Sequence, residues 1–134
     1  MTAYLLDANI CSFILRKDPT PSKRLIQIEP RHEIVLSAMV YFELRKGALA
    51  KSAPKKLNDA ITEFVRRLAG ILPFDQDAAE HAARIHANLS ASGQIIGLND
   101  ILIAGHASAA GCVLVTNNTR EFSRVRGLEI EDWS

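Results

Sequence analysis

The sequence predicts an α/β fold built on a short parallel sheet that helices cover on both faces. Short apolar runs alternate along the chain with longer segments whose apolar residues recur at helical spacing, and this alternation is typical of parallel sheets. The chain has 134 residues, of which 48% are hydrophobic, so it fits one domain with a sizeable core. No internal repeat, low-complexity tract or long linker interrupts it.

The first half of the chain predicts two strands and three helices. Residues 3–6 form a short apolar run without helical period, which predicts a buried strand, and a helix over 9–15 follows it. The segment 19–28 predicts a second helix. Residues 34–37 are apolar and β-rich, which predicts a second strand leading directly into a helix over 38–50. In these helices the spacing of the apolar side chains predicts which residues face the core. They are Leu25, Ile26, Ile28, Met39 and Phe42.

The second half continues the alternation of helices and strands. The helix predicted over 54–68 is strongly amphipathic, and Pro54 suits its first turn. A brief apolar run at 71–74 predicts a third strand. Asp75 then offers a side-chain cap for a helix predicted over 76–91.

The late part of the chain predicts a buried helix followed by a buried strand. The helix starts at Asn99 or Asp100, where a short polar side chain can cap free backbone N–H groups. Small and apolar residues on all its sides indicate burial, and Gly111 is typical of a helix C-terminus. The apolar run 112–115 predicts the next strand, and the alternating pattern at 127–134 predicts a final edge strand.

Charge and composition narrow the function classes. Lys and Arg number 16 against 15 for Asp and Glu, a net charge of +1, so any nucleic-acid surface must be local. No apolar run approaches the roughly 18 residues of a membrane span, and the N-terminus lacks the pattern of a signal peptide. We therefore expect a cytoplasmic protein that makes no membrane contact. Its Cys11 and Cys112 should be reduced and buried, the alternative being a disulfide.

Acidic side chains follow several of the predicted strands. Asp7 ends the first strand, Glu43 lies on the helix after the second strand, and Asp100 begins the late helix. Asn118 and Glu121 lie in the polar loop after the fourth strand. All five side chains can therefore meet at the carboxyl edge of one parallel sheet, which is where open α/β sheets bind ligands.

A divalent metal site explains such a cluster. Crowded carboxylates repel one another and raise each other's pKa values, and a hard cation relieves that repulsion. Mg²⁺ prefers oxygen ligands and often takes only one or two carboxylates directly. It can activate water and neutralise charge developing on a phosphate. No cluster of Cys and His supports zinc, and no glycine-rich phosphate loop supports nucleotide binding.

Four segments carry a resemblance to a known family. They are YLLDANI (4–10), LSAMVYFELRKG (36–47), GLNDILIAGHASAAG (97–111) and VTNNTREF (115–122). In this order and spacing the sequence resembles the PIN-domain family, specifically the VapC toxins of bacterial toxin–antitoxin pairs. The ending GLEIEDW resembles that family too. The resemblance implies a single PIN domain over 1–134 with a three-layer α/β/α fold.

The resemblance also implies an endoribonuclease that depends on Mg²⁺ or Mn²⁺. Asp7, Glu43 and Asp100 fall on the three central acidic positions of the family, and Asn118 replaces the fourth acidic residue by an amide. We expect Asp7 and Asp100 to bind one metal ion directly. Glu43 binds it through water or acts as the base for the attacking water, and Asn118 and Glu121 complete the outer shell. The supporting polar residues are Asn9, Ser37 and Thr116.

The family likeness further implies a substrate and partners. The expected substrate is tRNA, with the initiator tRNA cut in its anticodon region as the specific expectation, so that translation and growth are inhibited. The expected partners are a second copy of the chain, a cognate VapB-type antitoxin whose tail lies across the active site, and promoter DNA bound through the antitoxin. The helices 19–28 and 56–68 are candidate partner surfaces, although core packing explains them equally well. The basic residues that form either an RNA surface or a solvated helix face are Arg45, Lys46, Lys51, Lys55 and Lys56.

Three other functions stay open from the sequence. The same acids suit a nuclease that acts on another RNA or on DNA. A catalytically impaired nucleic-acid-binding module is the second alternative, with Asn118 as the first sign of decay, although the three intact acids argue against it. The third is a non-nuclease α/β protein in which Asp7 is a helix cap and Glu43 pairs with Lys46 on its own helix.

Overall fold

A single parallel sheet of five strands lies at the centre of the computed structural model, which describes residues 2–134. The strands are β1 (Ala3–Leu6), β2 (Glu33–Ser37), β3 (Gly70–Leu72), β4 (Val113–Val115) and β5 (Ile130–Glu131). Their order across the sheet is β3-β2-β1-β4-β5, and every neighbouring pair is parallel. The predicted parallel sheet is therefore confirmed. The chain adds β2 and β3 on one side of β1 and then adds β4 and β5 on the other side, so the order of the strands reverses between β1 and β4.

Helices form a layer on each side of this sheet. They are α1 (Ala8–Leu15), α2 (Pro19–Ile28), α3 (Ala38–Ala48), α4 (Leu57–Arg67), α5 (Gln76–Ala91), α6 (Leu98–Ala110) and α7 (Thr119–Phe122). The helices α1 to α4 pack on one another, and α5 packs against α6. This confirms the three-layer α/β/α architecture. No helix described between residues 2 and 134 is long and apolar enough to cross a membrane.

The core is formed by strands that are apolar on both faces. Leu5 and Leu6 of β1, Leu36 of β2 and Leu114 of β4 are fully buried and belong to one hydrophobic cluster, as a sheet covered on both sides requires. The two cysteines are buried free thiols, which confirms the prediction made for them. Burial also raises the pKa of the Cys11 thiol.

Close packing between α5 and α6 explains why α6 is rich in small residues. A Cβ atom added to Gly105 of α6 would lie 2.6 Å from the backbone of Ala82 in α5, a distance that no side chain tolerates. The two helices can approach this closely only because both contact positions are small. The packing fixes the position of α6, whose first turn carries Asp100.

The inward faces of two helices differ from the prediction. Ile26 and Phe42 were predicted to face the core, but they are 61% and 62% exposed. In α3 the buried residues are Val40 and Leu44, which lie four positions apart and so share one face. Because that face turns towards α1 and α4, Phe42 points away from the core.

Several element boundaries also differ from the prediction. α4 begins at Leu57, so Pro54 precedes the helix by a short turn and does not occupy its first position. α6 begins at Leu98 with Gly97 as its N-cap, and no side chain caps it. The predicted capping role of Asn99 or Asp100 is therefore wrong, and both side chains are free for other contacts.

Candidate active site

The carboxyl ends of β1 and β4 meet at the point where the strand order of the sheet reverses. Asp7 directly follows β1 and Thr116 directly follows β4. The Asp7 backbone N–H donates to the Val115 carbonyl oxygen over 2.8 Å, so the two strand ends are joined. Such a reversal leaves a crevice where open α/β sheets bind ligands.

Asp7 is held firmly at this point and is 9% exposed. Its Oδ1 accepts from the Ala8 backbone N–H over 2.8 Å, and its Oδ2 accepts from the Thr116 hydroxyl over 2.9 Å. Burial raises the pKa of the Asp7 carboxyl, while the hydrogen bonds from Thr116 and Ala8 oppose that rise. The helix-cap interpretation is thus correct for one oxygen, and the other oxygen faces the loop after β4.

Asp100 and Glu121 lie on either side of a shared amide. The Asn118 Nδ2 donates to Asp100 Oδ2 over 3.3 Å and to Glu121 Oε2 over 3.4 Å. The pKa of Asp100 is raised to about 6, first by burial, then by a hydrogen bond with Glu121, and then by the negative charges of Asp7, Glu121 and Glu43. These charges can act on Asp100 only because all four carboxyl groups lie near one another.

Glu43 is held by α6 and not by its own helix. The Asn99 Nδ2 donates to Glu43 Oε1 over 2.8 Å. Within the described chain Glu43 forms no ion pair with Lys46, whose Nζ lies 5.7 Å from the centre of the Phe42 ring. The predicted intrahelical pair is therefore absent, and Asn99 connects Glu43 to the helix that carries Asp100. We refer to Asp7, Glu43, Asp100, Asn118 and Glu121 together as the acidic edge.

Two of the predicted supporting residues hold the loop after β4. Thr116 is fully buried, and its Oγ1 accepts from the Asn118 backbone N–H over 3.0 Å while donating to Asp7. Asn9 of α1 donates from its Nδ2 to Asn117 Oδ1 over 3.1 Å. The loop that presents Asn118 is thereby tied to both β1 and α1.

Ser37, the third supporting residue, has a buried partner that sequence reasoning missed. Its Oγ accepts from the Met39 backbone N–H over 3.1 Å, which caps α3, and lies 2.8 Å from His106 Nδ1. His106 is 3% exposed, and burial lowers its pKa, which favours a neutral ring hydrogen-bonded to the Ser37 hydroxyl. This pair connects α6 with the start of the helix that carries Glu43. The only sequence signal for it was a single histidine within an otherwise small and apolar helix.

Arg45 does not face the acidic edge, because its guanidinium group is occupied between α3 and α4. It donates to Tyr41 Oη over 2.9 Å, to the carbonyl and side-chain oxygens of Asn58 over 2.7 and 2.6 Å, and to Thr62 Oγ1 over 2.9 Å. We call these four residues the Arg45 cluster. Because its guanidinium donors are used in these contacts, Arg45 joins α3 to α4 and is not one of the proposed RNA contacts. The predicted basic residues that are exposed are Lys46, Lys51, Lys55 and Lys56.

The acidic edge suits one hard divalent cation. Within residues 2–134 no three His, Cys, Asp or Glu side chains form a preassembled metal-binding group, but Mg²⁺ takes one or two carboxylates and keeps several waters. Across the same residues no Lys or Arg forms an ion pair with any of the four carboxylates. Their negative charge is therefore balanced only by neutral donors. Asp7 is buried and Asp100 is partly buried, and the pKa of each carboxyl is raised.

Comparison with known proteins finds relatives over the whole chain. A family model described as PIN domain matches residues 4–128. The tRNA(fMet)-specific endonuclease VapC of Shigella flexneri is 38% identical over 134 residues, which is 100% of each chain. Ribonuclease VapC2 of Haemophilus influenzae is 36% identical over 133 residues, covering 99% of each chain.

Solved structures show the same extent of similarity. One is the crystal structure of VapBC2 from Rickettsia felis bound to a DNA fragment from the promoter. A chain of that structure superimposes with a TM-score of 0.90 and 32% identity, and the match covers 99% of this chain and 100% of that one. DNA-bound VapBC from Salmonella typhimurium gives a TM-score of 0.89 and 37% identity, with 100% of both chains covered. The similarity therefore extends over the entire fold and well beyond the acidic edge.

Proposed function

This chain belongs to the PIN domain family, and from that membership we propose that it is the toxin of a type II toxin–antitoxin pair and cleaves tRNA as a metal-dependent endoribonuclease. The observation that carries the proposal is the acidic edge. Its four carboxylates lie together at the sheet's ligand-binding edge with no cationic partner among residues 2–134. A group of this kind is expected to take up a cation and act on a phosphate.

The proposed substrate is the initiator tRNA, cut in its anticodon region. Two relatives that match this chain over 99% or more of its length, from Shigella flexneri and Salmonella typhimurium, are named tRNA(fMet)-specific endonucleases. Loss of initiator tRNA would stop translation and growth, so we place the protein in the cytoplasm. The exposed Lys46 and Lys51 are the proposed contacts to the RNA backbone.

Asp7 and Asp100 are the proposed ligands of Mg²⁺, with Mn²⁺ as a substitute. Both carboxyl groups have raised pKa values, which a bound cation would lower again by favouring their ionised forms. When bound, Mg²⁺ supplies positive charge that activates water and neutralises charge developing on the phosphate. Because Asn118 contributes no charge, one ion is proposed and not two.

The residues around Asp7 and Asp100 orient the two carboxyl groups and accept the proton of the attacking water. Glu43, held by Asn99, takes the proton of the attacking water as general base. The water oxygen bonds to phosphorus, the bond from phosphorus to the 3′ oxygen breaks, and the departing 3′ oxygen takes a proton from solvent water, leaving a 5′-phosphate and a 3′-hydroxyl. Thr116 keeps Asp7 in place, and the Asn118 amide orients Asp100 and Glu121 by donating to both.

The proposed partners are a VapB-type antitoxin and a second copy of the chain. The solved structures that resemble this chain include VapBC assemblies, two of them bound to DNA. We propose that this protein likewise forms a homodimer or a toxin–antitoxin hetero-oligomer, and that it reaches promoter DNA only through the antitoxin.

Cleavage of total tRNA by the purified protein tests the proposal. The assay compares Mg²⁺ with EDTA and the wild type with Asp7→Asn. Asp77→Asn is the matched control, because Asp77, like Asp7, is an aspartate at the start of a helix but is exposed on α5 and outside the acidic edge. We expect discrete fragments that disappear with EDTA and in Asp7→Asn but persist in Asp77→Asn.

Other outcomes would redirect or overturn the proposal. Metal binding without cleavage of any tRNA would indicate a different nucleic-acid substrate for the same acids. If the protein binds neither Mg²⁺ nor Mn²⁺, the nuclease function is wrong.

A further inference from the structure

Phe42 is a large aromatic side chain that the core does not use. It lies on α3 and is 62% exposed, whereas Val40 and Leu44 of the same helix are buried. Single exposed hydrophobic residues are common on protein surfaces, so exposure alone assigns no role to Phe42. Its location gives the reason to consider one, because the next residue in the chain is Glu43 of the acidic edge.

Phe42 forms one wall of a groove that leads to the acidic edge. The groove has a volume of about 570 Å³. Its lining residues combine apolar side chains, one cation, one amide and one carboxylate, and they are Ala38, Met39, Phe42, Glu43, Lys46 and Asn99. Since Glu43 belongs to both and accepts a hydrogen bond from Asn99 of the groove, the groove and the acidic edge are continuous.

The groove combines the kinds of chemical group that can hold a nucleotide. Phe42 presents an exposed aromatic ring, and Met39 adds apolar surface in the same groove. The Lys46 ammonium lies over the Phe42 ring, 5.7 Å from its centre, so a base would stack on the opposite face of the ring. Unpaired RNA bases are recognised by stacking on aromatic side chains, and the adjoining backbone is held by basic groups. The overall charge of only +1 requires any RNA surface to be local, and the groove places one cation beside an apolar wall.

We propose that Phe42 is a stacking platform for an unpaired base beside the cleaved bond, and that Lys46 binds the phosphate next to that base. This inference rests on the proposed ribonuclease function and adds a base-binding subsite to it. The subsite favours cleavage in a single-stranded loop, where a base can leave its neighbours and reach the ring.

Steady-state cleavage of purified initiator tRNA by Phe42→Ala and Phe42→Tyr tests the subsite. Loss of one stacking contact should raise KM about tenfold in Phe42→Ala, with kcat little changed, and Phe42→Tyr should keep the wild-type KM. Leu49→Ala is the control, because Leu49 is 73% exposed at the end of the same helix and does not line the groove. Its KM should equal that of the wild type.

A second experiment separates a base from a protein as the occupant. The cleavage site is first mapped in a model RNA. Two further RNAs are then made, one without the base on the 5′ side of that site and one without the base on the 3′ side, and both are cleaved with the wild type and with Phe42→Ala. For one of the two positions the missing base should raise the wild-type KM and leave the KM of Phe42→Ala unchanged. Sedimentation of both proteins should give the same molecular mass.

Three results would overturn the inference, and they are distinguishable. If the wild type cleaves RNA and Phe42→Ala has the same KM, the subsite is absent while the proposed function stands. If Phe42→Ala keeps the wild-type KM but no longer forms a dimer or no longer binds the antitoxin, the groove binds protein. If the wild type cleaves no RNA, the proposed function fails and the subsite fails with it.

Discussion

The acidic edge and the Arg45 cluster are both partly buried polar groups, but they are built in opposite ways. Arg45 is one cation surrounded by four oxygen acceptors from three residues, so every contact in that cluster is favourable. The acidic edge places four carboxyl groups together and balances them only with neutral hydroxyl and amide donors. Burial, a hydrogen bond with Glu121 and repulsion by the neighbouring carboxylates together raise the pKa of Asp100 to about 6.

The difference distinguishes a polar cluster that stabilises the fold from one that serves catalysis. A charge that only stabilised the fold would be paired or exposed, since unpaired charge in a partly buried position is unfavourable. The Arg45 cluster follows that rule and joins α3 to α4. The acidic edge departs from it, and the positive charge that it lacks is the one a bound metal ion would provide.

The largest expected effect is on catalysis at the acidic edge. Asp100→Asn should lower kcat/KM by more than about 100-fold, because it removes a proposed metal ligand. Cleavage of initiator tRNA under saturating Mg²⁺ measures this effect. Residual activity within a few-fold of the wild type would show that Asp100 is not a metal ligand.

The next largest effect is on stability, in the Arg45 cluster. Arg45→Met should lower the free energy of unfolding by about 2–3 kcal/mol, because Asn58 and Thr62 lose their donor. Arg45→Lys should recover only part of the loss, since a single ammonium group cannot reproduce the planar fork. Urea denaturation measures both variants. A change below about 0.5 kcal/mol in Arg45→Met would contradict the packing role assigned to this residue.

A smaller and opposite effect on stability is expected at Asp100. The folded-state pKa of Asp100, about 6, lies above the ordinary value of 3.8, so the ionised carboxyl lowers the free energy of unfolding at neutral pH. That lost stability is regained as pH falls from about 7 towards 4 and the carboxyl takes up its proton. Asp100→Asn should therefore be more stable than the wild type by about 1 kcal/mol at pH 7.5 in EDTA, allowing for partial solvent screening. The advantage should vanish near pH 4. Equal stability of the two proteins at both pH values would mean that Asp100 is not strained by its neighbours.

The smallest expected effect concerns the contact that orients Glu43. Asn99→Ala should lower kcat about tenfold or less, because Glu43 keeps its carboxylate but loses the donor that holds it. The free energy of unfolding should change by less than about 0.5 kcal/mol. A loss as large as that in Asp100→Asn would instead assign Asn99 a direct role in the reaction.

Sequence reasoning predicted the sheet and the acidic edge because both depend on local patterns. The apolar runs of β1, β2 and β4 identify buried strands directly, and a parallel arrangement then brings their carboxyl ends together. Asp7, Glu43, Asn118 and Glu121 could be selected because they follow β1, β2 and β4 in sequence, and Asp100 because it begins the helix before β4. Their distances, and the amide of Asn118 between Asp100 and Glu121, required the structure.

What could not be predicted depends on contacts between residues far apart in the chain. Asn99 looked like a helix cap because nothing nearby in sequence reveals that Glu43, 56 residues earlier, accepts its hydrogen bond. The Ser37–His106 pair spans 69 residues and is equally hidden. The rotation of α3, which exposes Phe42, is set by packing of Val40 and Leu44 on other helices and not by the spacing within α3 alone.

Thermal unfolding with and without Mn²⁺ or Mg²⁺ tests most directly the claim that the acidic edge lacks a positive charge which a metal ion supplies. At about 100 times the dissociation constant a bound ion stabilises the folded protein by about 2.7 kcal/mol. We therefore expect Tm to rise by several degrees in the wild type and in Asp77→Asn, with no rise in Asp7→Asn. An equal rise in Asp7→Asn, or no rise in the wild type at any metal concentration, would contradict the account.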